Sequence, residues 1–281
     1  MSELFESISR LKSLLEAVKD PLVDDWDPIE LGLLVSKLEY EDLSLKKQRE
    51  IFAQMASDLK NAFPQEEGPL EQARYVAKFF GQTLGFAGDR VNYYNIKNSY
   101  LSDVFVRRKG IPLSLSLVFI GLCRSVGLKA VGIGFPGHFL VRIIPEHELV
   151  KTRAAAGKEN AQDWKEQHFV DCFEGGSFLT VQDCEKRLSD WTRGVLAFGP
   201  DALKVAHPQE ILSRMLRNLR AIFTEKEDYA RLYWVLTALI ELCPLERTEA
   251  LKDRGFLLAR MARFNQATQD LKAYMQVCTD P

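Results

Sequence analysis

Apolar residues recur at helical spacing through the first ninety positions. Leu4, Ile8, Leu11, Leu15 and Val18 mark one helical face, and Ile29, Leu33 and Leu34 open another after the Asp27-Pro28 start signal. The stretches 44–62 and 69–84 repeat the pattern, each with a polar or proline entry and an exit at Pro64 or Gly85. This part predicts a helical layer that carries no chemistry of its own and packs against the middle of the chain.

From Val91 the texture changes. A polar, aromatic stretch, Asn92-Tyr93-Tyr94-Asn95, leads to Asn98-Ser99 and a helical run over 100–108. Lys109-Gly110-Ile111-Pro112 reads as a turn with proline at the first helical position, and 113–126 is apolar nearly all round, as a helix buried on most sides must be. Gly127 ends it. Two β-rich runs, 129–135 and 138–144, flank Pro136-Gly137 and predict an antiparallel pair; the sheet resumes over 168–173 and breaks at Gly175-Gly176. Between them, 151–167 is charged and rich in small residues, an exposed excursion whose relation to any cleft the sequence leaves open.

Beyond residue 200 the chain is helical again and repeats itself. Tyr229, Leu232, Leu236, Leu239, Leu242 and Cys243 recur 35 residues later as Phe264, Ala267, Leu271, Tyr274, Val277 and Cys278, each set followed by a proline. That period and residue pattern resemble tetratricopeptide repeats.

Charge narrows the classes of function. The formal net charge of −2 gives no global field for a nucleic acid or an anionic membrane, so neither partner is expected. The dense basic cluster Arg107-Arg108-Lys109 reads as a solvated helix end rather than a phosphate site. No apolar run approaches the roughly 20 residues that span a bilayer. The first ten residues lack the basic start and apolar stretch of a signal peptide, and the five cysteines show no pairing pattern. A cytoplasmic chain with reduced thiols is the expectation. Four histidines (His138, His147, His168, His207) without a close ligand pair, and no Cys-x-x-Cys, argue against a metal; no cofactor is expected, and the glycines at 132, 134 and 137 precede no helix of the kind a phosphate loop needs.

Three features line up in the order of a thiol acyl-transfer site: the Gly110-Ile111-Pro112 helix start, His138 opening a strand, and Asp171 in the next strand. A cysteine at such a helix start would have its pKa lowered by the helix dipole and a neighbouring imidazolium, with a histidine moving the proton and a carboxylate fixing its orientation. Strand alternation is compatible with a meeting of His138 and Asp171, while a lone histidine at a strand start is more often structural.

The segments 107–116 (Arg-Arg-Lys-Gly-Ile-Pro-Leu-Ser-Leu-Ser), 135–142 (Phe-Pro-Gly-His-Phe-Leu-Val-Arg) and 169–176 (Phe-Val-Asp-Cys-Phe-Glu-Gly-Gly) resemble the bacterial SirB family of transglutaminase-like proteins, as do 98–101 and 214–219. The resemblance runs from about residue 28 to the end. It implies an α+β fold: a helix-rich, papain-like transglutaminase domain with a small antiparallel sheet over 1–200 (core about 91–190, including the N-terminal helical layer), then an all-helical tetratricopeptide-like segment over 205–281. Carried over by position, His138 and Asp171 match the histidine and acid, Pro112 stands where the cysteine belongs, and Asn98, Pro112, Gly137 and Gly176 line the residual cleft.

The resemblance brings no defined reaction, and two functions follow from Pro112, the repeat and the His/Asp pair. One is a non-catalytic scaffolding or regulatory protein that binds a protein or peptide partner through its C-terminal helices. The other is an amide or ester hydrolase or acyl transferase in which His138 and Asp171 serve an unconventional nucleophile or water. Ser114, Ser116, Cys123 and Cys172 read as packing residues. A DNA-binding regulator, which names within the family suggest, finds no basic face to support it.

Overall fold

The computed structural model describes residues 2–19, 26–144 and 168–277. The excursion expected over 151–167 lies outside the described residues, as do His147 and Cys278. Among the described residues the helices are α1 (Ser2–Glu16), α2 (Pro28–Glu39), α3 (Leu45–Asn61), α4 (Pro69–Lys78), α5 (Leu101–Arg107), α6 (Pro112–Ser125), α7 (Val181–Thr192), α8 (Pro208–Glu225), α9 (Tyr229–Leu242), α10 (Arg247–Arg260) and α11 (Phe264–Val277). The strands are β1 (Ala87–Gly88), β2 (Lys109–Gly110), β3 (Ala130–Ile133), β4 (Leu140–Ile143), β5 (Phe169–Asp171) and β6 (Ser177–Leu179). The fold is α+β: helices dominate, and β3-β4-β5-β6 form one antiparallel sheet in that order.

Two compact units divide the chain. One takes Ala17–Leu33 and Ser44–His207, and the other takes Met1–Glu16, Leu34–Leu43 and Pro208–Pro281. This grouping differs from a division near residue 200, because α1 and the end of α2 go with the C-terminal helices. Within that unit α1 packs on α9, burying Ile8, Leu11 and Leu15, and Glu39 of α2 pairs with Arg231 at 2.7 Å. Periodicity showed that α1 has a face to bury; it did not show against what.

In the first unit α6 runs through the core, and all residues from Pro112 to Cys123 are buried, as an element without a polar face requires. It packs against β3 and β4. Val131, Ile133, Leu140, Phe169 and Leu179 of the sheet share a second cluster with Val181, Cys184 and Leu188 of α7. Residues 204–206 cover the outer edge of β3: Ile133 bridges to Val205, and the Ala206 N–H donates to the Gly132 carbonyl at 2.9 Å. That satisfies groups an open edge would leave exposed.

Within the basic cluster Lys109 is exposed, as a solvated helix end would be, but the two arginines are engaged. Arg107 donates to Asn98 (2.8 Å) and Asp89 (3.0 Å), and Arg108, in the left-handed region at φ 58°, lies 4.7 Å over the Phe86 ring, where burial pulls its pKa down.

The C-terminal helices repeat in backbone detail. The helix pairs α8–α9 and α10–α11 end their first helices at Glu225 and Arg260 and start their second at Tyr229 and Phe264, 35 residues apart in each case. The connecting turns share their closing hydrogen bond and their left-handed residue. Asp228 N–H donates to the Phe223 carbonyl at 3.0 Å and Arg263 N–H to the Leu258 carbonyl at 2.8 Å, and the residues before them, Glu227 and Ala262, have φ of 53° and 57°.

Candidate active site

The turn Phe135-Pro136-Gly137-His138 positions the histidine. His138 N–H donates to the Phe135 carbonyl at 3.1 Å, proline occupies the second position, and Gly137 has φ 68° at the third. These are the requirements of a type II turn, in which a residue with a Cβ at the third position is strained. Trp191 of α7 lies against Gly137 where a side chain would otherwise stand. The strands are shorter than the sequence runs suggested. β4 begins at Leu140, so His138 sits in the turn two residues before it rather than opening the strand.

Asp171 ends β5, and its loop returns through Gly175 (φ 66°) and Gly176 (φ 89°), with the Gly176 N–H donating to the Asp171 carbonyl at 3.0 Å. The carboxylate is fully buried. Its Oδ1 lies 3.0 Å from His138 Nε2 and accepts from the backbone N–H groups of Phe173 (3.0 Å) and Glu174 (3.3 Å); its Oδ2 pairs with Arg187 of α7. Burial alone would raise the Asp171 pKa, but the hydrogen bonds and charges of His138 and Arg187 outweigh it and hold the acid below its ordinary value. The site therefore contains an anion kept ionised by a histidine and an arginine at once. The two residues that strand alternation allowed to meet are in contact.

The ring of Phe173 stands edge-on to His138, with centroids 6.2 Å apart, and Tyr93 lies against Phe173 at 5.8 Å. Tyr93, Tyr94 and Trp191 are exposed, so aromatic surface is continuous around the histidine.

The start of α6 is built differently. Ser114 Oγ accepts from the Ile111 N–H at 3.2 Å and donates to the Asn98 carbonyl at 2.6 Å. The Asn98 amide donates to the carbonyls of Asn92 (2.8 Å) and Tyr93 (3.2 Å), and its oxygen accepts from Arg107. Asn98 is thus a fully buried bracket beneath the surface rather than part of a cleft wall, because every group of its amide is used to hold the loop. Pro112 is buried at the first turn of α6. Gly176 is buried against Ala77 and borders a separate groove of about 350 Å³ with Arg74, Lys78, Gln82, Glu174 and Ser177, a lining that includes neither His138 nor Asp171.

Cys123, Cys172, Cys184 and Cys243 are free and buried. Desolvation raises the pKa of each, to about 12 for Cys184 and Cys243, so none is a nucleophile at neutral pH. Among the described residues no group of three His, Cys, Asp or Glu side chains is placed to hold a metal ion. Sequence reasoning missed Arg187 and Trp191. Each lies on α7, whose Thr180–Asp183 capping box was the only local signal, and a helix start does not reveal what its middle faces.

Residues 46–217 match the transglutaminase-like superfamily, and residues 219–281 match a tetratricopeptide repeat. The chain is 28% identical over 250 residues to a UPF0162 protein of Xylella fastidiosa (strain Temecula1 / ATCC 700964), covering 88% of this chain and 82% of the relative. It is 25% identical over 266 residues to a UPF0162 protein of Vibrio cholerae, covering 92% and 90%. The F-box only protein 21 of Homo sapiens is 31% identical over 160 residues, which are 57% of this chain and 23% of that protein. No solved structure matches the chain.

Proposed function

The chain belongs to the transglutaminase-like superfamily, and on that premise we propose that it is a non-catalytic member, of the SirB kind its motifs resemble, that works by holding a protein partner in the cytoplasm. The observation that carries this reading is the start of α6. A transglutaminase-type reaction needs a thiolate at that helix end, and Ile111-Pro112 offers no nucleophilic atom. Nearby groups do not replace it: Ser114 Oγ is engaged with Asn98 and Ile111, and burial keeps Cys123 and Cys172 as neutral thiols. The helical repeat supports the binding half of the proposal, since stacked helix pairs form extended surfaces suited to protein segments. The boundary between the two functional parts is taken at residues 200–205.

The rival, a hydrolase in which His138 activates water, is favoured by one observation: Asp171 is held ionised against the histidine, as a general base requires. One experiment tests the assignment of residue 112 and a second decides between the two readings. Pro112→Cys is expected to install a thiol that iodoacetamide alkylates at neutral pH, with the reactivity lost in Pro112→Cys/His138→Ala; a thiol that titrates as an ordinary cysteine would remove residue 112 from the nucleophile position. In affinity capture followed by mass spectrometry, the natural chain and His138→Ala are expected to recover the same unmodified partner. A partner cleaved or altered by the natural chain and left intact by His138→Ala would establish the hydrolase instead.

A further inference from the structure

We propose that the turn joining α10 to α11 docks an acidic, apolar-anchored segment of a partner protein. This deepens the partner-binding reading above and rests on it. The proposal begins with a difference between two copies of one backbone. The first turn reads Glu225-Lys226-Glu227-Asp228, and the second, in the same hydrogen-bonded geometry, reads Arg260-Met261-Ala262-Arg263. Both outer acids of the first turn have become arginines in the second. Asp228 accepts from the Arg231 N–H at 3.1 Å as the helix cap of α9, whereas Arg263 has no side-chain acceptor to offer α11. The exchange gives up a helix cap and gains no ion pair within the described residues.

The neighbouring arginines show what a partnered guanidinium looks like here. Arg217 pairs with Glu246, Arg220 with Asp253, Arg231 with Asp228 and Glu39, and Arg254 with Asp270. Among the described residues Arg260 and Arg263 have no carboxylate; each faces an aromatic ring of α9 instead, Arg260 at 5.6 Å from the centroid of Tyr229 and Arg263 at 5.8 Å from that of Tyr233. Tyr229 and Tyr233 are one helical turn apart on one face of α9, so the two arginines meet the same helix face. Contact with the rings restrains the two side chains before a ligand arrives, so less ordering cost falls on binding, and both arginines are exposed, where a guanidinium suits a bidentate carboxylate. Phe264 follows Arg263 directly and is 65% exposed, and Phe256, one turn before Arg260 on α10, is 57% exposed. Two cations between two exposed phenyl rings match acidic residues interleaved with apolar ones.

A nucleic acid fits less well. It needs a run of cations along its backbone, and the other arginines named around this turn are already paired with carboxylates.

The test uses the full chain and a fluorescein-labelled peptide of alternating glutamate and leucine, with a lysine–leucine peptide and a single-stranded oligothymidylate as alternatives. The variant is Arg260→Glu/Arg263→Asp, which places at these positions the residues the first copy carries in the same geometry, so the fold is expected to persist; thermal melting checks this. The acidic peptide is expected to bind the natural chain, to bind the double variant at least tenfold more weakly, a loss of about 1.4 kcal/mol or more, and to bind Lys272→Glu within about twofold of the natural chain. Failure of the acidic peptide to bind, or equal binding to the double variant, overturns the proposal. So does tighter binding of the oligothymidylate that the variant abolishes, or sedimentation showing a dimer of the natural chain that the variant dissolves, since the occupant is then a nucleic acid or a second copy. Each of these results leaves the partner-binding reading to stand or fall on the capture experiment, which does not depend on this turn.

Discussion

At the residue scale the site is governed by one buried carboxylate held between His138 and Arg187. Asp171 titrates lower in the folded chain than the ~3.9 of an unfolded aspartate, so its contribution to stability is whole above about pH 5 and is lost as pH falls through ~4 toward the folded value. Asp171→Asn is expected to cost about 3 kcal/mol at pH 7, because it leaves Arg187 and His138 without their anion, and to flatten the acid limb of the stability curve. Urea midpoints from pH 7 to pH 3 measure both, and parallel curves for parent and variant would remove Asp171 from the titration. His138 and Asp171 were placed by the order of the motifs and by the family resemblance, with strand alternation compatible with their meeting, and the 3.0 Å contact between them is what the structure adds. Arg187 was not legible, since nothing in a charged helical heptad distinguishes the arginine that reaches a buried acid from one that reaches water.

At the element scale β3, β4 and β5 were found but overextended, while β1, β2 and β6 were missed. The runs 129–135 and 138–144 contract to four residues each, because Phe135 N–H bonds back to the Ile133 carbonyl at 2.8 Å and the type II turn begins there. Apolar runs record burial, and burial continues past the last ladder bond. The 35-residue period read from the sequence is the spacing at which the repeat's helices end and start, although their individual ends were not placed from sequence. Asp228 caps α9 and also pairs with Arg231 at 2.7 Å; Asp228→Ala is expected to lower stability by about 1 kcal/mol. Arg263→Asp, at the equivalent position of α11, is expected to raise it by up to about 1 kcal/mol. Thermal or urea unfolding of the two single variants checks the pair, and the same sign for both would mean that the turns are not equivalent.

At the scale of the whole molecule the α+β domain and the helical repeat were both legible from residue order, while the allegiance of the N-terminus was not. An amphipathic helix announces a face and not its partner. Because α1 packs on α9, a chain ending at residue 207 would leave Ile8, Leu11 and Leu15 uncovered. About 25 cal/mol per Å² of that apolar surface would be forfeited. In hydrogen exchange the α1 amides of the shortened chain are expected to lose their protection while those of α6 keep theirs; protected α1 amides would show that α1 has other cover. Among the described residues no helix is long and apolar enough to cross a membrane.

The two matched turns, 35 residues apart, also bear on how such a chain can change over time. Their hydrogen bonds and left-handed residues coincide while their charges are opposed. Within a duplicated module, then, geometry is inherited and electrostatics is free to diverge, so a chain of this kind acquires a new specificity by rewriting four exposed letters of one copy while its sister keeps the old ones.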